Sequence, residues 1–297
     1  MNTASVHTTT NTNTSANTSH ALRVRLQGLG VLAPGLADWA QCAVCLRGEA
    51  AYQPAATVLP VPDMLPPAER RRASRVIKLA LAIGAEAVQH AGANAADLAS
   101  VFSSSTGDGH NCHALCETLA SAQRDISPTR FHNSVHNTAA GYWCIATGAT
   151  GPCQVLAAYD AGFAAGLLEA AVQVQVEQRE VIVLAYDSDY PQPLHACRPV
   201  PDAAGVAMVL SPANGPAAAQ TLAELDIAWS PMAESEAAAA LNEHAQGLGA
   251  ELHALSQAIP AMRALPLLRL LANGQAGRVM IEGVPGQALH IGVRPCA

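Results

Sequence analysis

Thiols and imidazoles are the side chains of this sequence with most chemistry to offer, eight cysteines and eleven histidines among 297 residues. Cys42 and Cys45 form a lone C-x-x-C. Disulfide exchange needs that motif at a helix N-terminus, where the thiolate is stabilised. Here it falls inside a short helix expected from Asp38 to Leu46, beside Trp39, a place that favours packing. His110, Cys112, His113 and Cys116 crowd one segment without paired C-x-x-C spacing, and the adjacent Cys112 and His113 point apart on a helix. No metal is expected there, and no other cofactor is assigned to the chain. Cys144 or Cys153 with His132 or His136 could supply a nucleophile and a base. Cys144 lies in a small, apolar segment where cysteines usually pack, and Cys153 starts a strand remote from any activating helix end.

The elements that must position these groups centre on Ile126 to Ala171. Asn137 to Ala146 is small and uncharged and runs to Gly148, as a buried helix with a glycine C-cap would. Val155 to Tyr159 has the length of a strand. Asp160 then opens AGFAAGLLEAAV, apolar on nearly every side, and reads as the N-cap of a second buried helix. A strand turning directly into a buried helix aims free N–H groups and a positive dipole end at the turn.

Ile126-Ser127-Pro128, Asn137, Gly141, Gly148 and Gly151-Pro152 together resemble the pattern of the β-ketoacyl synthases. The resemblance implies an α/β, thiolase-like fold, layered α/β/α and mainly its first half. It also places the family's nucleophilic cysteine at position 160, where this chain has Asp160. Ala158-Tyr159 and Ala161-Gly162-Phe163 replace the rest of the elbow. A helix end that stabilises a thiolate also stabilises a carboxylate, but a carboxylate cannot carry an acyl chain as a thioester. The family's H-G-T-G-T and G-H-x-x-G motifs are missing too, since His195, His244, His253 and His290 have other neighbours. No catalytic residue is assigned.

Six phrases narrow the resemblance: GVLAPG from Gly30, LPPAERRRAS from Leu65, VFSSSTGDG from Val101, SPTRFHNSVHN from Ser127, AYDAGFAAGLLEAA from Ala158 and AYDSDYPQPL from Ala185. In this order they are similar to short chain-length-factor relatives that accompany a working ketosynthase in aryl-polyene pathways. That implies a cytoplasmic, non-catalytic subunit, paired as a heterodimer with an active ketosynthase and shaping its acyl tunnel in polyketide or fatty-acid-type biosynthesis. An acyl carrier protein is a further partner. Thr106, Asp108, Asn111, Cys112 and Leu115 are then tunnel or interface residues, joined by Phe131, His136, Asn137, Tyr159 and Phe163. The alternative is an acyl transferase or hydrolase using the relocated cysteine and histidine pair.

The remaining chain fits an α/β protein. Half of the residues are apolar and 13% charged, which calls for a large core or a sizeable interface. A net charge of −7 argues against non-specific nucleic-acid binding, and no apolar run reaches the length of a membrane span. Residues 1–20, rich in Thr, Asn and Ser, read as a disordered tail ahead of one domain over 21–297. Pro67 suits the first turn of a helix from Ala68 to Ala91. On it Arg71, Arg75 and Lys78 would share a face, either a dock for an acidic carrier protein or a solvated surface. Strands are expected at Leu22–Leu32, Leu98–Ser105, Glu180–Tyr186, Ala203–Ser211 and Thr221–Trp229, with a hairpin at Gly277–Val293. Helices are expected at His110–Ala122, Ala233–Ala258 and Met262–Leu271.

Overall fold

Alternating apolar residues build one twisted sheet with a core on each face. The computed structural model describes residues 21–215 and 221–296, so the tail expected at 1–20 lies outside it. The strands are β1 (Leu22–Leu32), β2 (Ala99–Ser104), β3 (Cys153–Ala157), β4 (Val181–Asp187), β5 (Ala204–Pro212), β6 (Ala223–Pro231), β7 (Gly277–Glu282) and β8 (Gln287–Pro295). Across the sheet they run β3-β2-β4-β5-β1-β6-β8-β7. β3, β2 and β4 are parallel, and every other pairing is antiparallel.

The central strand β4 is buried along its whole length. Val181, Val183 and Ala185 join the core on one face, and Ile182, Leu184 and Tyr186 join the core on the other. A strand covered on both sides reads as an unbroken apolar run, which is why VIVLAY was legible. The helices are numbered in chain order from α1 (Trp39–Leu46) and α2 (Pro67–Arg70), and on the second face lie α3 (Arg75–Ala91) and α6 (Thr138–Thr147). On the first lie α7 (Gly162–Glu177), a 3-10 turn at Pro260–Ala264 and the helix Leu265–Ala272. The layering is α/β/α, as the resemblance implied.

Glycines set how closely α3 approaches the sheet. A Cβ at Gly28 would fall 2.2 Å from the Ala87 carbonyl oxygen, and one at Gly30 would fall 2.1 Å from that of Ile83. The helix therefore rests on the bare backbone of β1. The register shifts between Leu26 and Gly28, which lets Leu26 and Leu29 face the same core despite their odd spacing.

Several boundaries differ from the sequence reading. The helix expected from Ala68 to Ala91 is two, Pro67–Arg70 and Arg75–Ala91. Ser74, extended at ψ 177°, takes the N-cap position of the second helix, and Asn133 donates to the freed Arg72 carbonyl at 3.1 Å. The helix expected from Ala233 to Ala258 also divides, at Gly249 with φ 76°. α6 ends at Gly148 as expected, with φ 72°, but it is not buried all round, because Ile145 is exposed. No helix of the described residues is long and apolar enough to cross a membrane.

Replacing Gly30 by alanine should destabilise the fold by about 3 kcal/mol or more, because the added methyl meets backbone that cannot yield. Urea unfolding of the variant would measure this, and a loss below about 1 kcal/mol would mean that α3 can lift off β1.

Candidate functional site

The carboxyl ends of β3, β2 and β4 meet at one place, as the ends of parallel strands do in open α/β sheets. β4 delivers Asp187 there, buried in the interior. Its Oδ1 accepts from the Ser105 N–H at 2.8 Å and the Ser105 hydroxyl at 2.6 Å, and its Oδ2 accepts from the Ala261 N–H at 2.9 Å. Burial pushes its pKa up to about 6, against the pull of these donors and of the nearby Arg198 charge.

Proton counting gives this network a direction. The Ser105 proton goes to Asp187, so the Tyr190 hydroxyl, 2.9 Å from Ser105 Oγ, must donate to it. The Tyr190 oxygen is then an acceptor for Thr106 Oγ1 at 2.5 Å. Each donor points toward the buried carboxylate.

Beyond Ser105 the chain turns through Gly107, at φ 76°, into α4 (Gly109–Ala120). Asp108 caps this helix, its Oδ1 accepting from the Asn111 N–H at 2.9 Å. Asn111 is buried and donates to the Arg130 carbonyl of the short helix α5 (Pro128–His132). His136 lies against Gly107 and 3.3 Å from Ser104 Oγ, and partial burial lowers its pKa. Thr106, Asp108, Asn111 and His136 thus form one neighbourhood. Cys112 is exposed, Leu115 half-buried, and Phe131 is 66% exposed on α5. Asn137, exposed, precedes the first turn of α6 without a side-chain capping bond. Phe163 stands apart, only 1% exposed in the core that α7 shares with β2 and β4. It is not at the surface of this chain.

The elbow departs from expectation. Asp160 is not the N-cap of α7, which is Ala161 without a side-chain capping bond. β3 ends at Ala157, and a 3-10 turn, Tyr159–Ala161, separates it from the helix, with Tyr159 at φ 51°. That conformation is strained for a bulky residue. The turn carries the Asp160 carboxylate to two arginines, with Arg198 Nη2 at 2.6 Å and Arg263 Nη2 at 3.2 Å. Arg198 also lies over the Tyr159 ring, 3.4 Å from its centroid. Neither arginine stood out in the sequence. Arg198 is 38 residues from Asp160 and belongs to no motif, so only the fold brings them together.

Two expected groupings do not form. Arg71 lies in the break between the two helices, so it shares no helical face with Arg75 and Lys78. Arg75 is held by Asp189 at 3.0 Å and Asp202 at 2.9 Å. Arg71, Arg72, Arg75, His110 and Arg130 do line one open hollow of about 480 Å³ between the starts of α3 and α4. Among the cysteines, Cys144 is half-buried, and burial together with neighbouring Cys153 raises its pKa, the opposite of what an activated nucleophile needs. Among the described residues no group of three or more His, Cys, Asp or Glu could hold a metal ion.

One surface is left open. Among the described residues β3 pairs only with β2 and ends the sheet, and all of its residues are exposed or half-buried. Phe131 on α5, Val135 in the turn after it, Ile145 on α6 and Tyr159 at the elbow are exposed. A bare sheet edge and large exposed apolar side chains are surfaces that proteins ordinarily cover.

This architecture belongs to a known class. The chain is a member of the family described as β-ketoacyl synthase, N-terminal domain, whose model matches residues 38–265. No curated protein matches it in sequence. Among solved structures it is similar in fold to a ketosynthase (ApeO) in complex with its chain length factor (ApeC) from Xenorhabdus doucetiae, at 19% identity and TM-score 0.66, covering 91% of this chain and 98% of that one. It is also similar to the ishigamide ketosynthase/chain length factor, at 15% identity and TM-score 0.69, covering 92% and 99%. A β-ketoacyl synthase from Burkholderia phymatum matches at 13% identity and TM-score 0.64, covering 93% and 100%.

The Asp187 network generates a pH test. Its folded pKa, raised from 3.8 to about 6, means that the native state holds this proton more tightly than the unfolded chain. The stabilisation from that proton is full below the unfolded pKa and is lost as pH rises through about 6. Asp187→Asn leaves the Ala261 N–H facing an amide donor and should cost about 1–3 kcal/mol. Because the variant lacks the titration, the stability gap between it and the parent should narrow from pH 5 to pH 7.5, as read by denaturant unfolding. A gap that stays flat over this range would mean that the Asp187 pKa is not raised.

Proposed function

We propose that this chain is a non-catalytic ketosynthase-like subunit, a chain-length factor that pairs with an active β-ketoacyl synthase and shapes its acyl tunnel. The observation that carries the reading is the state of the elbow. Where the resemblance puts a nucleophilic cysteine, a carboxylate is neutralised by Arg198 and Arg263. A carboxylate tied into two ion pairs has neither the nucleophilicity nor the thioester chemistry that condensation requires. The bare edge of β3 and its apolar flanks support a partner seated there, since an elbow subunit without chemistry acts only through what it touches. In this reading Thr106, Asp108, Asn111, Cys112 and Leu115 face the partner's tunnel, and Phe131, His136, Asn137 and Tyr159 lie along the contact. The growing chain is a polyene, in a polyketide or fatty-acid-type pathway of the cytoplasm. An acidic acyl carrier protein docks over the hollow of Arg71, Arg75 and neighbouring cations. Lys78, on the next turn of α3, adds to that field.

Three measurements test this. Co-expression with a ketosynthase from the same genome should yield a heterodimer whose melting temperature exceeds that of the isolated chain, by mass action. A melting temperature indifferent to the partner would remove the pairing. In the reconstituted complex, Thr106→Trp or Cys112→Trp should shorten the products while sparing the first condensations, because a rigid polyene cannot fold past a blocking ring. Unchanged product lengths from both, with the complex intact, would detach these residues from the tunnel. Asp160→Cys alone should form no ketoacyl product, since the histidine motifs are missing as well.

A further inference from the structure

Tyr159 is held at φ 51°, a conformation in which glycine is at ease and a tyrosine is strained. Burial does not account for it, because the residue is 58% exposed. The turn itself is closed by the Ala161 N–H on the Ala158 carbonyl at 2.9 Å, a bond that asks for no ring at position 159. The ring is nevertheless fixed. The Arg198 guanidinium lies 3.4 Å from its centroid, and Arg198 Nη2 donates to Asp160 Oδ1 at 2.6 Å. Asp160 Oδ2 is held in turn by Arg263 at 3.2 Å. We infer that Tyr159 is the anchor of the surface at the end of β3, a ring that Arg198 and Asp160 present to an uncharged pocket of the partner subunit. The inference rests on the pairing proposed above and adds the residue and the chemistry on which that pairing turns.

Position comes first. Tyr159 follows the last residue of β3 by two, and among the described residues β3 has one neighbour only, so a partner arriving at that edge meets the ring. Rigidity comes next. The Arg198 side chain is only 12% exposed and is tied to Asp160, so the cation beneath the ring is itself held in place. An aromatic side chain that is already ordered loses little entropy on being covered, which is how a single ring comes to carry much of an interface's affinity. Phe131, exposed on α5, is stacked on no ring or cation among the described residues, and offers area without this presentation.

The charges decide the kind of pocket. Arg198 and Arg263 are matched by Asp160 and by Glu282, whose Oε2 is 3.7 Å from Arg263 Nη1, so a docking group need bring no charge. With one face on a guanidinium, the ring's electrons are drawn to that side, and a second cation on the open face would be repelled. Apolar side chains around the ring, and acceptor oxygens at its edge, suit it.

Two measurements separate presentation from binding. In the isolated full chain labelled with fluorotyrosine, the fluorine resonance that Tyr159→Phe removes should lie away from its position in the unfolded chain. It should move toward that position in Asp160→Asn and Arg198→Met, while the resonances of the other tyrosines stay in place. A Tyr159 resonance already at the unfolded position, or one that neither variant moves, would overturn the presentation. Should Arg198→Met not fold, Asp160→Asn decides by the same resonance. The second measurement is the affinity of the pair reconstituted with a ketosynthase from the same genome. Tyr159→Gly relieves the backbone strain, so the isolated chain should melt within a few degrees of the parent while the pair weakens about thirtyfold or more. Asp160→Asn should weaken it about threefold to tenfold, the cost of ordering one side chain on binding. Tyr159→Phe should keep most of the affinity, and Phe131→Ala should lose less than about threefold. The loss in Tyr159→Gly should be the same at low and high salt, and a loss that vanishes at high salt would mean that the ring meets a cation instead of an uncharged pocket. A pair that tolerates Tyr159→Gly, or that loses as much with Phe131→Ala, would overturn the anchor and leave the pairing intact. A chain with an ordered ring that captures no ketosynthase would overturn both.

Discussion

A carboxylate at the end of a strand buried on both faces has to find its hydrogen bonds inside the protein. Asp187 finds them in Ser105, which follows β2, and in the backbone of Ala261, at the 3-10 turn packed on the other side. Leaving such a group unpaired costs several kcal/mol, more than any one of its neighbours contributes. The three donors are therefore held in place, and the direction of the remaining bonds follows. Ser105 gives its proton to Asp187, Tyr190 then donates to Ser105, and the Tyr190 oxygen is left to accept from Thr106. The loop entering α4, the end of β4 and the 3-10 turn at Ala261 are joined by this one constraint.

The elbow illustrates how a site can keep its shape while exchanging its chemistry. The backbone there is still strained at Tyr159, and the helix after it still starts at the carboxyl end of the sheet. What changes is the occupant. Asp160, 42% exposed, is pinned by two guanidinium groups instead of standing ready for a substrate. The ion pair at such a half-exposed place is worth little to stability by itself. Its value lies in direction, because the planar guanidinium of Arg198 is fixed at once by the carboxylate and by the Tyr159 ring.

The bare edge of β3 is the other feature that stands out in this sheet. Parallel strands gain their stability from cover on both faces and from neighbours on both edges, and among the described residues β3 has a neighbour on one edge only. The exposed ring of Tyr159, two residues after the strand, adds area that water solvates poorly.

Much of this was legible in the residues themselves. The apolar run of β4, the alternation of β1 and the glycine that ends α6 depend on local patterning, which a short window of sequence contains. The resemblance implied where the elbow falls, and a carboxylate at residue 160 cannot carry an acyl chain as a thioester. The capping role given to Asp160 was wrong because capping is a local inference, and a local inference cannot see Arg198 or Arg263 arriving from distant segments. The face expected for Arg71, Arg75 and Lys78 failed similarly, since Ser74 starts a new helix where a continuous periodicity had been assumed. Phe163, which the resemblance implied to be a tunnel or interface residue, lies in the core that α7 shares with the sheet, a burial no local pattern at the elbow announced. Sequence alone determined which strands exist and that residue 160 is a carboxylate. Only the tertiary structure decided what that carboxylate touches, because ion pairs and buried hydrogen bonds form between groups that the chain brings close only when it folds.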